Sequence, residues 1–364
     1  MESSHTTVYR QGGYEALYGT PLALQWAVTD MCNYKCSYCF GQKPIGAEPF
    51  SSFEQLKNIA DFLISLKRSK YSLEFVGGEP TAHPELGRLL GYLSAHLGSA
   101  LDFLIISNGS RDAGYFDSLV KACEGTKARI SLSLHTEYAS LEHFIELIKV
   151  MSGRIQLNVG LMFNPERREQ VEAAFYALYE LRKDYPFTFR INPLKGPPDY
   201  DLLDVRYTED DLLWAMMLNR KSDKLAHSAK AGPNPGEVLV QGAYKHEYYW
   251  DVVTDGTRKV LERLDNDTLT YMGLLHFKGL WCCPGSSVMI IRADGSFAGA
   301  ECPIAFVPGK TLHDTSPYAE GIFPMLVQCN LELCRCPINY SIPKFYDRTE
   351  AEQYLHYFKH RVTR

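Results

Sequence analysis

Nothing in this chain approaches the roughly 20 consecutive apolar residues that a membrane span requires. The N-terminus, Met1-Glu2-Ser3-Ser4-His5, lacks the basic region and apolar core of a secretory signal. An excess of basic charge is missing too: 38 Lys and Arg stand against 43 Asp and Glu, for a formal net charge of -5. That balance argues against a nucleic-acid partner, which needs a basic footprint. There is no internal repeat and no low-complexity tract. Without a secretory signal, the ten cysteines are expected to be reduced and to bind metal, not to pair as disulfides. The reading is a cytoplasmic protein of a reducing or anaerobic cell, with no membrane partner. With 45% hydrophobic and 22% charged residues in a chain of 364, a core of ordinary size and about two domains are expected.

Three of the cysteines fall within eight residues, Cys32-Asn33-Tyr34-Lys35-Cys36-Ser37-Tyr38-Cys39. They directly follow the apolar run Leu22–Val28. Thiolates this close can converge on one iron–sulfur cluster. Three ligands on a four-iron cluster leave one iron open to a non-protein ligand. A structural zinc knuckle is the alternative, but zinc wants four ligands and no further Cys or His lies nearby.

The chain then alternates. Residues 22–29 read as a strand, and Pro44 to Pro49 as loop. Ser51-x-x-Glu54 is a capping box ahead of Leu56, Ile59, Ala60, Leu63 and Leu66 at helical spacing. Further strands are predicted at 73–76, 102–106, 129–134, 154–162 and 187–191. Helices are predicted at 84–96, at 115–123, around Leu141–Ile148, and after Asn164, which caps with Pro165 opening the helix. Six strand–helix units in this rhythm indicate parallel strands with helical crossovers. Six, not eight, suggests an open partial barrel, although periodicity alone does not separate that from a doubly wound sheet. Barrel sites form at the C-terminal strand ends. The polar motifs Gly77-Gly78-Glu79-Pro80, Ser107-Asn108, Ser133/His135 and Asn192-Pro193 fall there.

The spacing of the first cysteines, with Tyr38 before the last, resembles the signature of the radical S-adenosylmethionine (SAM) superfamily. The resemblance covers residues 20–195 and implies an α/β fold, a partial (βα)6 TIM-like barrel. It implies that Cys32, Cys36 and Cys39 ligate a 4Fe–4S cluster whose open iron chelates SAM. It places Tyr38 beside the adenine, and Gly77, Gly78, Glu79 and Pro80 at the SAM amino group. Ser107, Asn108, Ser133, His135, Asn158, Met162 and Asn164 take the later SAM contacts. For Asn164 a helix cap is a sufficient explanation, and Arg190 suits either a carboxylate partner or a structural role. The glycines are expected because a Cβ would keep the backbone from the ligand. An electron donor such as flavodoxin or ferredoxin is implied.

Residues 196–280 break the rhythm and read as a linking segment, with a helix from about Tyr207 to Met217 and aromatics at Tyr244, Tyr248, Tyr249 and Trp250. Beyond it comes Trp281-Cys282-Cys283-Pro284-Gly285, an apolar run, Asp294-Gly295 and Cys302. Asp-Gly between β-like runs signals a hairpin that would bring Cys282 or Cys283 close to Cys302. Cys329, Cys334 and Cys336 follow. Residues 281–364 resemble the C-terminal SPASM or shortened twitch extension of radical SAM enzymes, a small cysteine-rich auxiliary-cluster domain. That pattern aligns Cys282 with the first ligand and leaves Cys283 spare. It implies one auxiliary 4Fe–4S cluster held by Cys282, Cys302, Cys334 and either Cys329 or Cys336. The chain departs from the pattern in a longer Gly295-to-Cys302 spacing and an incomplete last group, and a structural zinc site is the alternative. Cys123, alone on a helix, is expected in the core.

The domains expected are a lead-in over 1–20, a core over 21–195, a linking segment over 196–280 and an auxiliary domain over 281–364. Three functions are carried. The first is oxidation or crosslinking of a ribosomally made peptide, with the auxiliary cluster as electron acceptor. Only 31 residues precede Cys32, too few for the N-terminal peptide-recognition domain of some relatives. The second is dehydrogenation or epimerisation of a small molecule, such as a sugar, aminocyclitol or nucleoside, in natural-product biosynthesis. The third is a non-catalytic iron–sulfur or zinc scaffold, which would have no need of Gly77–Pro80. No side chain is singled out as a catalytic acid or hydrogen donor.

Overall fold

The computed structural model describes residues 6–9, 22–39, 41, 43–196, 204–228, 249–254, 257–262, 277–313, 316–332, 334 and 342–362. The chain divides into two compact units. One comprises Ala27–Phe53 and Glu74–Gln241, the other Met1–Trp26, Glu54–Leu73 and Gly242–Arg364.

The first unit is built on parallel strands. β1 (Leu22–Thr29) and β2 (Tyr71–Gly77) enter it by their C-terminal ends, and β3 (Leu101–Ser107), β4 (Lys127–His135), β5 (Gln156–Phe163) and β6 (Thr188–Pro193) complete six strands in chain order. Registers from β3 to β6 are all parallel. Helices α2 (Leu86–Leu97), α3 (Ala113–Ala122), α4 (Leu141–Met151) and α5 (Arg168–Leu181) make the crossovers. This is the expected α/β fold of a partial barrel.

Local chemistry explains the elements. Ser140 caps α4 by accepting from His143 N, and Asp112 caps α3 by accepting from Tyr115 N. Phe144, Leu147, Ile148 and Met151 recur at helical spacing on α4 and are all fully buried. In β4, Ile130, Leu132 and Leu134 are buried, while the alternating Ser131, Ser133 and His135 are half-buried on the other face. That other face lines the barrel interior, because successive strand side chains point to opposite sides.

Several boundaries differ from expectation. β5 starts at Gln156, not Arg154, because 152–155 are spent in a turn closed by Ser152 N and Arg154 N. Asn164 caps a short 3₁₀ turn, Pro165–Arg167, and α5 begins only after it. Pro44, expected as loop, joins Lys43 in a short strand parallel to Met31–Cys32. The helix expected in the linking segment is α6 (Glu209–Ser228), longer than expected and part of the barrel unit. Its Asn219 accepts from Ile191 N at 2.8 Å and donates to Ile191 O at 3.0 Å, and Ser222 Oγ donates to Phe189 O. One amide thus fills the hydrogen-bonding positions that a seventh strand would take on the open edge of β6.

The second unit contains α1 (Phe53–Ser65) from its second residue on, and the start of β1. Ala23–Trp26 pair in parallel with β8 (Val288–Ile291), which forms an antiparallel hairpin with β9 (Ser296–Ala298) through Asp294-Gly295. β10 (Phe306–Thr311) follows on β9. β7 (Trp281–Cys282) pairs with β11 (Val327–Gln328) and β12 (Lys344–Phe345), and α7 (Arg348–Val362) closes the described chain. The N-terminal segment, expected as a loose lead-in, contributes the strand Thr6–Tyr9, paired with Tyr249–Thr254. That strand holds Tyr249 and Trp250 of the aromatic group; Tyr244 and Tyr248 lie outside the described residues. Among the described residues no helix is long and apolar enough to cross a membrane.

Candidate active site

The cysteine loop leaves β1 and is pinned by residues at the ends of the neighbouring strands. Gly78 N donates to Thr29 O and Glu79 N to Met31 O, each at 2.8 Å. Contact between these backbones is what demands the glycines. A Cβ on Gly77, whose φ is +144°, would lie 2.0 Å from Thr29 O, and one on Gly78 would lie 2.3 Å from Met31 O. These glycines make way for the start of the cysteine loop.

Glu79 is also redirected. Its carboxylate is buried and accepts from Thr81 N (2.9 Å), Thr81 Oγ1 (2.5 Å), Ser107 Oγ (2.8 Å) and Asn108 N (2.6 Å). Burial pushes the carboxyl up from its ordinary range, and the four donors pull it down. Glu79 thus ties the Gly77–Pro80 turn to the end of β3. The carbonyls of Glu79 and Pro80 accept from Ala82 N and His83 N. Asn108 reaches back to the loop, donating to Asn33 Oδ1 at 2.9 Å and lying 3.8 Å from Cys32 Sγ, while Ser107 Oγ accepts from Gly109 N. Ser107 and Asn108 are therefore engaged in holding the loop.

The end of β4 supplies a second set of pins. Tyr38 Oη lies 2.7 Å from His135 Nδ1, with the two rings stacked at 5.8 Å. Burial lowers the His135 pKa to about 4, so the ring is neutral at neutral pH, and its Nδ1 shares a hydrogen bond with the Tyr38 hydroxyl. Glu137 accepts from Ser37 N (2.9 Å) and Ser37 Oγ (2.6 Å), and Asn164 Nδ2 donates to it at 3.1 Å. Desolvation raises the Glu137 carboxyl, but the Ser37 and Asn164 donors outweigh it and hold the pKa low. Tyr138 stacks on Tyr34 at 4.9 Å and donates to Lys35 O. Asn33, Tyr34, Glu137 and Tyr138 carry no motif signal; their only mark in the sequence is proximity to the cysteines or to His135.

The barrel interior sorts the remaining expectations. His135, Met162 and Asn192 stand in one row across the C-terminal ends of β4, β5 and β6, with Ser133, Gly160 and Arg190 one row below. Asn158 is lower still. It donates to Ser131 Oγ at 3.1 Å and accepts from Thr188 Oγ1 at 3.0 Å, a polar bridge across three strands. Asn164 spends its oxygen on Glu166 N as a cap and its nitrogen on Glu137.

The donor set fits a sulfur-ligated cluster. Cys32 and Cys36 are buried and Cys39 is exposed. Burial raises both buried thiols, Cys36 to about 12, and neighbouring cysteines push in the same direction, so the three interact. Without a cation the two buried thiols are neutral, and metal binding would reverse that. Cys32 Sγ accepts from Tyr34 N at 3.4 Å, a contact of the kind that tunes cluster sulfurs. Among the described residues no three His, Cys, Asp or Glu side chains are drawn together as a single bound metal ion would hold them.

The second cysteine group lies in the other unit. Cys282, Cys302 and Cys334 pack on one apolar cluster formed by Ala23, Val288, Ile290, Ala298 and their neighbours. Cys282 interacts electrostatically with Cys334, Cys302 and Cys329, and burial pushes it up to about 12. Cys283 faces away into a separate cluster with Phe345, Tyr354, Leu355 and Phe358. The hairpin therefore brings Cys282, not Cys283, to Cys302. Cys336 lies outside the described residues. Cys123 is buried at the end of α3, as expected.

Residues 26–206 match the family model described as the radical SAM superfamily. The chain belongs to the radical SAM superfamily. The radical SAM region is similar to the GTP 3′,8-cyclase of Brucella ovis, 30% identical over 138 residues, which is 36% of this chain and 39% of that protein. The match thus spans well under half the length of these curated relatives. Among solved structures, Streptococcus suis SuiB bound to S-adenosylmethionine is 17% identical over 80% of this chain and 63% of that one, with a TM-score of 0.48. The structure of anSMEcpe with bound AdoMet is 14% identical over 81% of this chain and 79% of that one, with a TM-score of 0.47.

Proposed function

We propose that this chain is a radical SAM oxidoreductase that oxidises or crosslinks a ribosomally made peptide in the cytoplasm. The observation that carries the radical SAM chemistry is the cysteine loop within the radical SAM domain, seated on the Gly77–Pro80 turn and pinned from β3 and β4. Cys32, Cys36 and Cys39 would hold the 4Fe–4S cluster. When bound and reduced by one electron, such a cluster and SAM supply a 5′-deoxyadenosyl radical that removes hydrogen from a substrate.

The protein supplies orientation and exclusion of water. The Gly77 and Gly78 carbonyls accept from the SAM amino group. Tyr38, its ring fixed by His135, packs beside the adenine. His135 in the end row and Ser133 one row below it face the ribose or carboxylate, and Met162 faces the adenine. Glu79, Ser107, Asn108, Glu137 and Asn164 are positioning residues that act through the loop. Cys282, Cys302, Cys329 and Cys334 would hold an auxiliary 4Fe–4S cluster, whose chemistry when bound is acceptance of the electron left on the substrate. A flavodoxin or ferredoxin is the electron donor.

The peptide assignment rests on the resemblance of the C-terminal extension to SPASM-type peptide enzymes. A second reading, chemistry on a small molecule, is favoured by the curated matches, whose name is that of a nucleotide cyclase. One experiment tests the chemistry. After anaerobic reconstitution with iron and sulfide, dithionite and SAM are added, and iron and 5′-deoxyadenosine are measured in the same sample. About eight irons per chain and slow 5′-deoxyadenosine release are expected. Replacing Cys32, Cys36 and Cys39 together by Ala should abolish that release; its survival sinks the assignment. A candidate peptide that loses hydrogen in the same reaction supports the first substrate reading, and turnover of a small molecule alone supports the second.

A further inference from the structure

The interior face of the barrel unit has three rows in register across β4, β5 and β6: Ser131, Asn158 and Thr188; then Ser133, Gly160 and Arg190; then His135, Met162 and Asn192. The deepest row is closed on itself through the two hydrogen bonds of Asn158. The outer rows are not. Phe189 packs against Phe175 of α5 and Ile191 is buried, so alternation turns Arg190 to the interior face. There it is half-buried, and its side chain has no hydrogen bond, ion pair or ring contact with any described residue. Its nitrogens are not sealed from solvent. The Asn192 amide is likewise unengaged among the described residues.

Gly160 brings the two groups together. A Cβ there would lie 2.5 Å from Asn192 Nδ2, so the amide leans over Gly160, in the same row as Arg190. None of the residues in the three rows is acidic, and His135 is neutral. A guanidinium drawn partly out of water without a counter-ion loses hydration that an oxyanion restores, and its planar fork matches carboxylate and phosphate. Arg190 also stands apart from the cysteine loop in strand order. The loop's pins come from the turn after β2, from β3 and its following turn, from the end of β4 and the segment after it, and from the segment after β5, whereas Arg190 is on β6.

We propose that Arg190, with the Asn192 amide beside it, binds an oxyanion carried by the substrate, a carboxylate or a phosphate, at the mouth of the barrel. The assignment to substrate rests on the radical SAM reading of the same barrel. An anion anchored on β6 fixes the rest of the substrate relative to the strand ends, where orientation governs which hydrogen is reached. A peptide supplies such a group as an acidic side chain or its C-terminus, and a nucleotide as phosphate.

The test uses the reconstituted holoprotein. Arginine Nε–H resonances are followed while inorganic phosphate and, separately, acetate are titrated, and affinity for radiolabelled SAM is measured in parallel. One resonance should shift and saturate, and it should be missing in Arg190→Gln. Gly160→Ala, which displaces the Asn192 amide without touching the arginine, should weaken half-saturation by about tenfold, the worth of one hydrogen bond to a charged group. Arg190→Gln should retain SAM affinity. Absence of a saturating shift with both anions overturns the site. Loss of SAM affinity in Arg190→Gln makes the methionine carboxylate of SAM the ligand and overturns the assignment to substrate. Iron content and 5′-deoxyadenosine release, measured on the same preparation, report separately on the radical SAM reading.

Discussion

At the scale of single residues, the site depends on close contacts that hold the cysteine loop in place. Gly77 and Gly78 are the sharpest case, since a Cβ at either would run into backbone, which has no rotamer to yield. Replacing either by Ala should cost about 3 kcal/mol or more, the upper end for overpacking, and should be read as a lower unfolding midpoint of the apoprotein. His135 gives a pH signature. Its folded-state pKa of about 4 lies below the ordinary 6.5, so the unfolded chain takes up a proton that the folded chain refuses. Stability is then full above pH 6.5 and falls as pH drops towards about 4, by at most about 3 kcal/mol. Thermal unfolding of reduced apoprotein between these limits should show the slope, and His135→Gln should flatten it. An unchanged slope in the variant would assign the proton elsewhere. Glu137, whose pKa is lowered, acts in the same direction but below pH 4.5, so the two are separable.

At the scale of elements, the open edge of a partial barrel is a liability, because unpaired strand groups invite another chain. α6 answers it with Asn219, which satisfies both the N–H and the C=O of Ile191. Asn219→Ala leaves both unpaired and should cost roughly 2–4 kcal/mol in denaturant unfolding. Asn219→Asp keeps the acceptor but loses the donor, so its cost should fall between wild type and Ala. Equal stability of all three proteins would mean that the edge is satisfied in another way. This device was invisible in the sequence, which marked α6 only as a helix in a linking segment; its partner lies 28 positions away and follows no local pattern. The strands themselves were legible, because Ile130, Leu132 and Leu134 alternate with Ser131, Ser133 and His135. Their faces were legible too, but not their heights. Asn158 shares a face with Met162 yet sits four residues earlier, about 13 Å along a strand, too deep for the rim. Motif spacing located Cys32, Cys36 and Cys39, whereas Glu137 and Tyr138, which fasten them, lie in a turn without a signature.

At the scale of the whole molecule, each of the two units carries one group of cysteines, and the count of clusters follows from which thiols face one another. The adjacent pair Cys282-Cys283 is the deciding position, because neighbours in an extended chain point to opposite sides. Cys282 looks towards Cys302, Cys329 and Cys334, and Cys283 into the aromatic cluster under α7. The two serine variants should therefore fail differently. Cys282→Ser removes a proposed ligand of the auxiliary cluster, so iron per reconstituted chain should fall from about eight towards about four, with little change in the unfolding of apoprotein. Cys283→Ser buries a hydroxyl in an apolar cluster, so apoprotein stability should drop by about 1–3 kcal/mol while the folded fraction keeps its full iron. If Cys283→Ser instead lost the four irons and Cys282→Ser kept them, the register of β7 on its neighbours, Cys282↔Val327 and Cys282↔Lys344, would have to shift by one residue.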